Sequence, residues 1–252
     1  MMFLRSLLFM ASLILMTPPF IVVLLLLAWL PKRLLRRLSM IWVDTAIWLI
    51  RQLLGIDHRV IGAENIPQRS CVILSKHQSA WETIVLQRIF EWTSFVYKRE
   101  LHWLPFFGWG LALMPFVAID RTAGKKALNR LATRGKQRLD EGYSVLIFPE
   151  GTRMAPGRQG RYKIGGAYLA EKAGAPAVPV ALNSGEFWRR NAFMKRRGTV
   201  TVSIGPAIDP AGLSAEDINR RAEAWIESEM RRISPDLYRK HETTQSSAGA
   251  AA

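Results

Sequence analysis

The stretch "SCVILSKHQSAWETIVLQRIF", residues 70–90, holds the change of pattern on which the fold reading turns. Its first half is a short apolar run of the kind a strand buried on both faces carries. Its second half is apolar at helical spacing and opens with Ser79 and Glu82, three residues apart. A serine N-cap with glutamate at N3 makes a capping box, so the spacing predicts a helix start here. That explains Ser79 and Glu82 without chemistry. It leaves His77, in the strand-to-helix loop, where α/β sheets present functional groups at the carboxyl ends of strands. The two readings are compatible. If Glu82 points back from the first helical turn, its carboxylate can hold one imidazole nitrogen of His77 and leave the other as a general base. Without a side-chain nucleophile beside it, such a base serves a hydroxyl brought by the substrate.

Outward from this stretch the same alternation repeats. Candidate strands are "HRVIG", "SCVILS", "TSFVYK", "FVAID", "YSVLIF", "AVPVAL" and "GTVTVSIG". Between them, "KKALNRLATRGKQRLDEG" sets Leu128, Leu131 and Leu139 on one helical face before Gly142. Ser214 opens a last helix with Ile218, Ala222, Ile226 and Met230 as its buried stripe. Alternating strands and helices argue an α/β domain with a largely buried sheet. We expect it over residues 58–238, after a membrane-associated helical segment at 1–57 and before a low-complexity, disordered tail at 239–252.

The first segment is the strongest compositional signal. No charge falls between Arg5 and Lys32, and the apolar run is long enough to cross a hydrocarbon core. Pro18 and Pro19 interrupt it, so we expect a kinked span or two short helices dipping into one leaflet. "PKRLLRR" then carries four cations against one in front, which by the positive-inside rule leaves the rest of the chain in the cytoplasm. In the next run, Trp42, Ala46, Leu49 and Leu53 suit either an interfacial helix or a core helix of the domain.

The chain has 252 residues, is 49% hydrophobic and carries a formal charge of +15, which asks for an acidic partner such as anionic lipid or a phosphate-bearing substrate. Cys71 is its only cysteine, so no intrachain disulfide can form. A nucleophile elbow, a phosphate loop, a dinucleotide fingerprint and zinc-ligand spacing are all missing, so hydrolase, nucleotide-binding and metal chemistry are poor fits.

Two further constellations stand out. In "VLIFPEGTR", residues 145–153, an apolar strand runs into Glu150, Gly151, Thr152 and Arg153. Gly151 permits a tight turn, and Arg153 offers a planar fork suited to phosphate. In residues 95–121, Lys98 and Arg121 bracket a stretch rich in large rings, including Trp103, Phe106, Phe107 and Trp109. Core packing accounts for such rings, as does an alkyl groove or a membrane-facing lip.

In this order, over roughly residues 58–210, these strings resemble the lysophosphatidic acid acyltransferase family of glycerolipid acyltransferases. "KHQSAWE" is similar to the family's histidine-acid block, which implies His77 as base and Glu82 as acid, although the family usually has aspartate at the second position. "FVAIDR" resembles its second motif and implies that Arg121 contacts phosphate. "FPEGTR" resembles its third, with Glu150, Gly151 and Thr152 in a substrate loop and Arg153 on phosphate. "AVPVAL" resembles its fourth, and Lys98 matches a basic position near the substrate phosphate. The resemblance implies a mixed sheet flanked by helices with an N-terminal helical membrane anchor.

The expected reaction is acyl transfer from a thioester to the 2-hydroxyl of 1-acylglycerol 3-phosphate, giving phosphatidic acid. Backbone amides at the helix start or in the Glu150–Gly151 turn would hold the oxyanion. The expected co-substrate is acyl-CoA or acyl-carrier protein, with no metal or resident cofactor. The expected partners are a lipid substrate and an anionic membrane surface, with no nucleic acid, and the site faces the cytoplasm from the cytoplasmic membrane. The alternatives are another lipid acceptor (a lysophospholipid, lipid A precursor or lyso-ornithine lipid) and a non-enzymatic, membrane-tethered module that binds polyanions.

Overall fold

A computed structural model describes residues 1–120 and 123–239 of the chain. All seven apolar runs read as strands are strands: β1 (Ile56–Ile61), β2 (Val72–Ser75), β3 (Thr93–Lys98), β4 (Val117–Ile119), β5 (Ser144–Ile147), β6 (Ala177–Leu182) and β7 (Gly198–Ile204). They form one sheet in the order β1-β7-β6-β2-β5-β3-β4. The stretch from β6 to β4 is parallel, while β7 pairs antiparallel to β6 and parallel to β1. The sheet is therefore mixed. Pro179 can sit within β6 because pairing to β7 begins one residue later, at Val180, so the missing N–H removes no rung on that side.

Among the described residues the sheet is accompanied by the α-helices α1 (Met2–Leu26), α2 (Lys32–Leu49), α3 (Trp81–Ile89), α4 (Phe107–Leu113), α5 (Gly124–Asp140), α6 (Gly165–Ala173) and α7 (Ala215–Ile233). Alternation along the strands divides them between two faces. Ile73, Leu146, Val178 and Val180 pack with Phe9, Val43, Ala46 and Trp81 from α1, α2 and α3. On the opposite face, Val72, Leu74, Val145 and Ile147 meet Leu131, Leu169 and Ile218 from α5, α6 and α7. The stripe read on α5 includes a position that sequence did not single out, Gly135. A Cβ there would stand 2.5 Å from Leu169 Cδ2, so the glycine lets α5 and α6 approach.

Of the two forms expected at Pro18 and Pro19, a kinked span or two short helices, the second does not occur, because one helix runs unbroken through both prolines. The carbonyls that lose their donors to these prolines belong to Ile14 and Leu15, which face outward at 62% and 75% exposure, so neither is trapped in the core. The inner face is docked along the length of the helix. Phe9 is fully buried and meets Trp188 edge-on at 5.4 Å, Ser6 Oγ accepts from the Lys195 amide at 3.0 Å, and Ile21 and Leu24 are buried further along. The opposite face exposes Leu4, Leu7, Leu8, Val22, Val23 and Leu26. For α2 the core-helix reading holds on one face, where Val43, Ala46 and Leu49 are buried, while Ile41 and Trp48 stay exposed on the other. The aromatic stretch also divides. Trp103, Leu104, Phe107 and Trp109 are exposed as a lip, whereas Gly110 packs against Ile21 of α1. The expected disordered tail lies outside the described residues from residue 240 onward.

Because Phe9 is part of the main core, Phe9→Ala should cost about 3–5 kcal/mol of stability. Urea unfolding of the full chain in detergent measures this, and an unchanged midpoint would make α1 a tether that contributes nothing to the fold.

Candidate active site

Three loops at the carboxyl ends of β6, β2 and β5 converge on one point, since these strands are neighbours and parallel. The loop after β2 carries His77. Its Nδ1 lies 2.9 Å from Glu82 Oε1 in the first turn of α3. The carboxylate accepts only, so Nδ1 carries the proton of this bond and Nε2 is the free nitrogen. Phe148, at the end of β5, stacks on the imidazole at 3.9 Å between centroids and 14° between planes. The ring is thus fixed at its nitrogen and across its face.

Glu82 is fully buried, and its charge is satisfied by more than His77. The amides of Gln78 and Ser79 donate to Oε1 at 2.6 and 2.7 Å, and Ser184 Oγ donates to Oε2 at 2.6 Å. Ser184 follows β6 and was not foreseen. Its only trace in the sequence is a polar "NSGE" right after a wholly buried strand. The capping box is half realised. The helix begins at Trp81 with Ala80 as N-cap, and Ser79 Oγ accepts from the Trp81 amide, while Glu82 reaches back to the Ser79 amide. The glutamate has moved the cap, because the oxygen that closes it also holds His77.

Beneath His77 lies a charge cluster that sequence did not reveal. Lys76, fully buried, donates from Nζ to Glu150 Oε1 and Glu227 Oε1, each at 2.7 Å, and to the Arg158 carbonyl at 3.1 Å. Glu150 Oε2 in turn accepts from the His77 amide at 3.0 Å. Tyr162 donates to Glu227 at 2.8 Å. Burial pushes the Glu150 carboxyl above its ordinary range against the pull of Lys76, and the nearby Glu227 charge adds to the rise. Glu150 was expected in a substrate loop. Its carboxylate is turned inward within that loop, where it bonds Lys76 and the His77 amide.

Gly151 holds φ at +68°, the left-handed turn the sequence reading asked of it. The Met154 amide donates to the His77 carbonyl at 2.7 Å, which brings Arg153 alongside His77. The Arg153 Nε is buried and has no hydrogen-bond partner, and no carboxylate pairs with this side chain among the described residues. Thr152 is exposed on the same loop. Lys98 ends β3, exposed on the same sheet edge, one strand beyond β5. Arg121 lies outside the described residues. The oxyanion expectation is narrowed. Glu82 consumes the amides of Gln78 and Ser79, and the Gly151 amide donates to the Phe148 carbonyl at 3.0 Å.

Comparison with known proteins bears on what this arrangement serves. Residues 57–183 match the model of the Acyltransferase family. A 1-acyl-sn-glycerol-3-phosphate acyltransferase of Pseudomonas aeruginosa is 49% identical over 197 residues, which cover 77% of each chain. The human 1-acyl-sn-glycerol-3-phosphate acyltransferase beta is 36% identical over 152 residues, 60% of this chain and 55% of the relative. The crystal structure of a 1-acyl-sn-glycerophosphate (LPA) acyltransferase from Thermotoga maritima has the same fold. It aligns with a TM-score of 0.75 at 23% identity and covers 92% of this chain and 98% of its own.

Lys76→Met should cost about 3–5 kcal/mol, because it leaves two buried carboxylates without their cation. Burial already holds the Glu150 carboxyl above its ordinary range against the pull of Lys76, and that part of its contribution is lost as pH rises through the raised value. Without Lys76 the carboxyl is raised further and more stability is lost with rising pH, so the variant's deficit should widen from pH 5 to pH 8. Urea midpoints against pH read this out, and a pH-independent deficit would contradict the assignment.

Proposed function

This chain belongs to the acyltransferase family, and we propose that it transfers a fatty acyl group from a thioester to the 2-hydroxyl of 1-acylglycerol 3-phosphate, giving phosphatidic acid. Membership sets aside the non-enzymatic polyanion-binding alternative. The observation that carries the mechanism is the His77–Glu82 pair, with Nδ1 held and Nε2 open.

On this reading His77 Nε2 takes the proton of the acceptor hydroxyl as its oxygen attacks the thioester carbonyl. The imidazolium that forms is stabilised by Glu82, whose other bonds hold its carboxylate in place. Collapse of the tetrahedral intermediate breaks the carbon–sulfur bond, and the imidazolium returns its proton to the departing thiolate. Products are the ester and the free thiol. The donor is acyl-CoA or acyl-carrier protein, and the chemistry asks for no metal. Arg153, with an unpartnered Nε beside the catalytic loop, is the leading group for the acceptor phosphomonoester, assisted by Lys98 and Arg121.

The apolar outer face of α1 supports membrane association. A helix glued to a water-soluble domain along one side cannot also be ringed by lipid. We therefore read α1 as lying in one leaflet, with the domain on the cytoplasmic side where "PKRLLRR" leaves it.

His77→Ala should lower acceptor-dependent thiol release by about 10²–10⁴-fold with folding intact. Glu82→Asp should retain more activity than Glu82→Gln, since only the aspartate keeps the charge opposite the imidazolium. Equal activity of Gln and Glu at this position would reduce Glu82 to a capping residue.

Arg153→Lys keeps the charge and loses the fork, so the KM for lysophosphatidate should rise several-fold or more with little change in donor KM. Arg153→Ala should also narrow the preference for lysophosphatidate over a neutral monoacylglycerol. Parallel kinetics and melting curves decide. An unchanged acceptor KM, or equal losses on both substrates with a fall in Tm, would remove Arg153 from the phosphate site.

A further inference from the structure

Beside edge strand β4, away from the converging loops, a cavity of about 220 Å³ opens between the start of α2, α4 and the side of α5. Three of its cations, Arg130, Arg134 and Arg138, follow one another at single-turn spacing along α5, and Lys32 faces them as the first residue of α2. Tyr97, hydrogen-bonded to His102, forms part of the wall. None of the candidate catalytic residues lines it.

A charge run on a helix is ordinarily a solvated face, and for Arg130 and Arg134 taken alone that account would do. It fails for Arg138. That side chain is only 11% exposed, Nη1 bonds Glu141, and Nε is buried with no partner. The carboxylates at the end of α5 do not neutralise the group. Asp140 is held by Lys136 and Glu141 by Arg138, and Lys32, Arg130 and Arg134 have no ion-pair partner among the described residues. Four cations therefore line one concave space with a single acid among them.

The surroundings indicate the source of the missing anion. Leu26 and Trp29 precede Lys32 at 72% and 79% exposure, and Trp103 follows His102 at 86%. Exposed tryptophans with an apolar neighbour mark the depth at which a membrane gives way to water, and lipid phosphates lie at that depth. Two residues of the cleft, Lys32 and His102, follow or adjoin these exposed side chains in the chain.

We propose that this cleft is a second phosphate site, separate from the acyl-transfer centre, which takes the phosphate of an anionic phospholipid headgroup from the membrane bearing α1. It would fix the rotation of the domain about α1, because it lies on the outer edge of the sheet, where that helix alone cannot set the tilt.

The test uses the full chain in zwitterionic micelles, with native mass spectrometry and tryptophan fluorescence reporting the binding of dihexanoyl phosphatidylglycerol. Arg130→Gln/Arg134→Gln should weaken binding about tenfold or more, while Arg130→Lys/Arg134→Lys restores most of it, and kcat on a micellar acceptor stays unchanged. Lys32→Gln, on a different helix, should weaken binding in the same direction and serves if the double variant fails to fold. Phosphatidylcholine should bind far more weakly. The proposal is overturned if the Gln variants bind phosphatidylglycerol normally or if phosphatidylcholine binds as well. It also falls if inorganic phosphate saturates the cleft at the same concentration, or if the variants lose an acidic acyl-carrier protein while keeping the lipid.

Discussion

One buried ammonium sets the frame for the site. Lys76 directly follows the central strand and is clamped between Glu150, on the loop of the neighbouring strand, and Glu227, on the last long helix. Three elements distant in sequence are thereby fixed to one atom. An ion inside a core is stable only when it is closely paired, so the arrangement tolerates little displacement. The Glu150 carboxylate spends its second oxygen on the His77 amide, which carries that rigidity to the backbone of the proposed base. Two carboxylates around one lysine leave an excess negative charge, which burial resists by holding Glu150 towards its protonated form.

Glu82 solves the same problem by a different route. It meets an imidazole, two amides and a hydroxyl instead of a permanent cation. Neutral donors satisfy its oxygens without placing a full positive charge beside it, which leaves that position for the imidazolium the proposed mechanism requires. A lysine in that role would neutralise it permanently. The division of labour is physical: Lys76 with its acids holds the loop still, and Glu82 with its neutral donors stays available to the base.

How much of this was legible follows from where each signal resides. The strands were visible because burial on both faces demands short apolar runs, and each run is local. His77 and Glu82 were visible because both lie within one strand-to-helix junction. Lys76 and Glu227 were not, because 151 residues separate them and neither advertises its partner. A lysine closing an apolar strand, and an acid abutting the buried stripe of a helix, were the traces available. Ser184 was hidden for the same reason, at 102 residues from Glu82. Pro18 and Pro19 also left open a break into two short helices, which does not occur. Propensity is measured with water around the helix, whereas α1 is held by a core on one side, and tertiary packing overrode the local preference.

The docking of α1 has a consequence for the life of the nascent chain. This helix is made before the segment that seats it, since the amide bonded to its Ser6 belongs to Lys195, 189 residues later. At about 5–20 residues per second, roughly 10–40 s pass between the two. Over that interval the inner face of α1 gains its contacts with α2 and α4 but still lacks Trp188 and Lys195 at its first turns. With its outer face in lipid, as proposed above, early capture by the bilayer would shelter the helix and orient its inner face for the domain that follows. The order of manufacture would then make the membrane the first surface against which α1 settles.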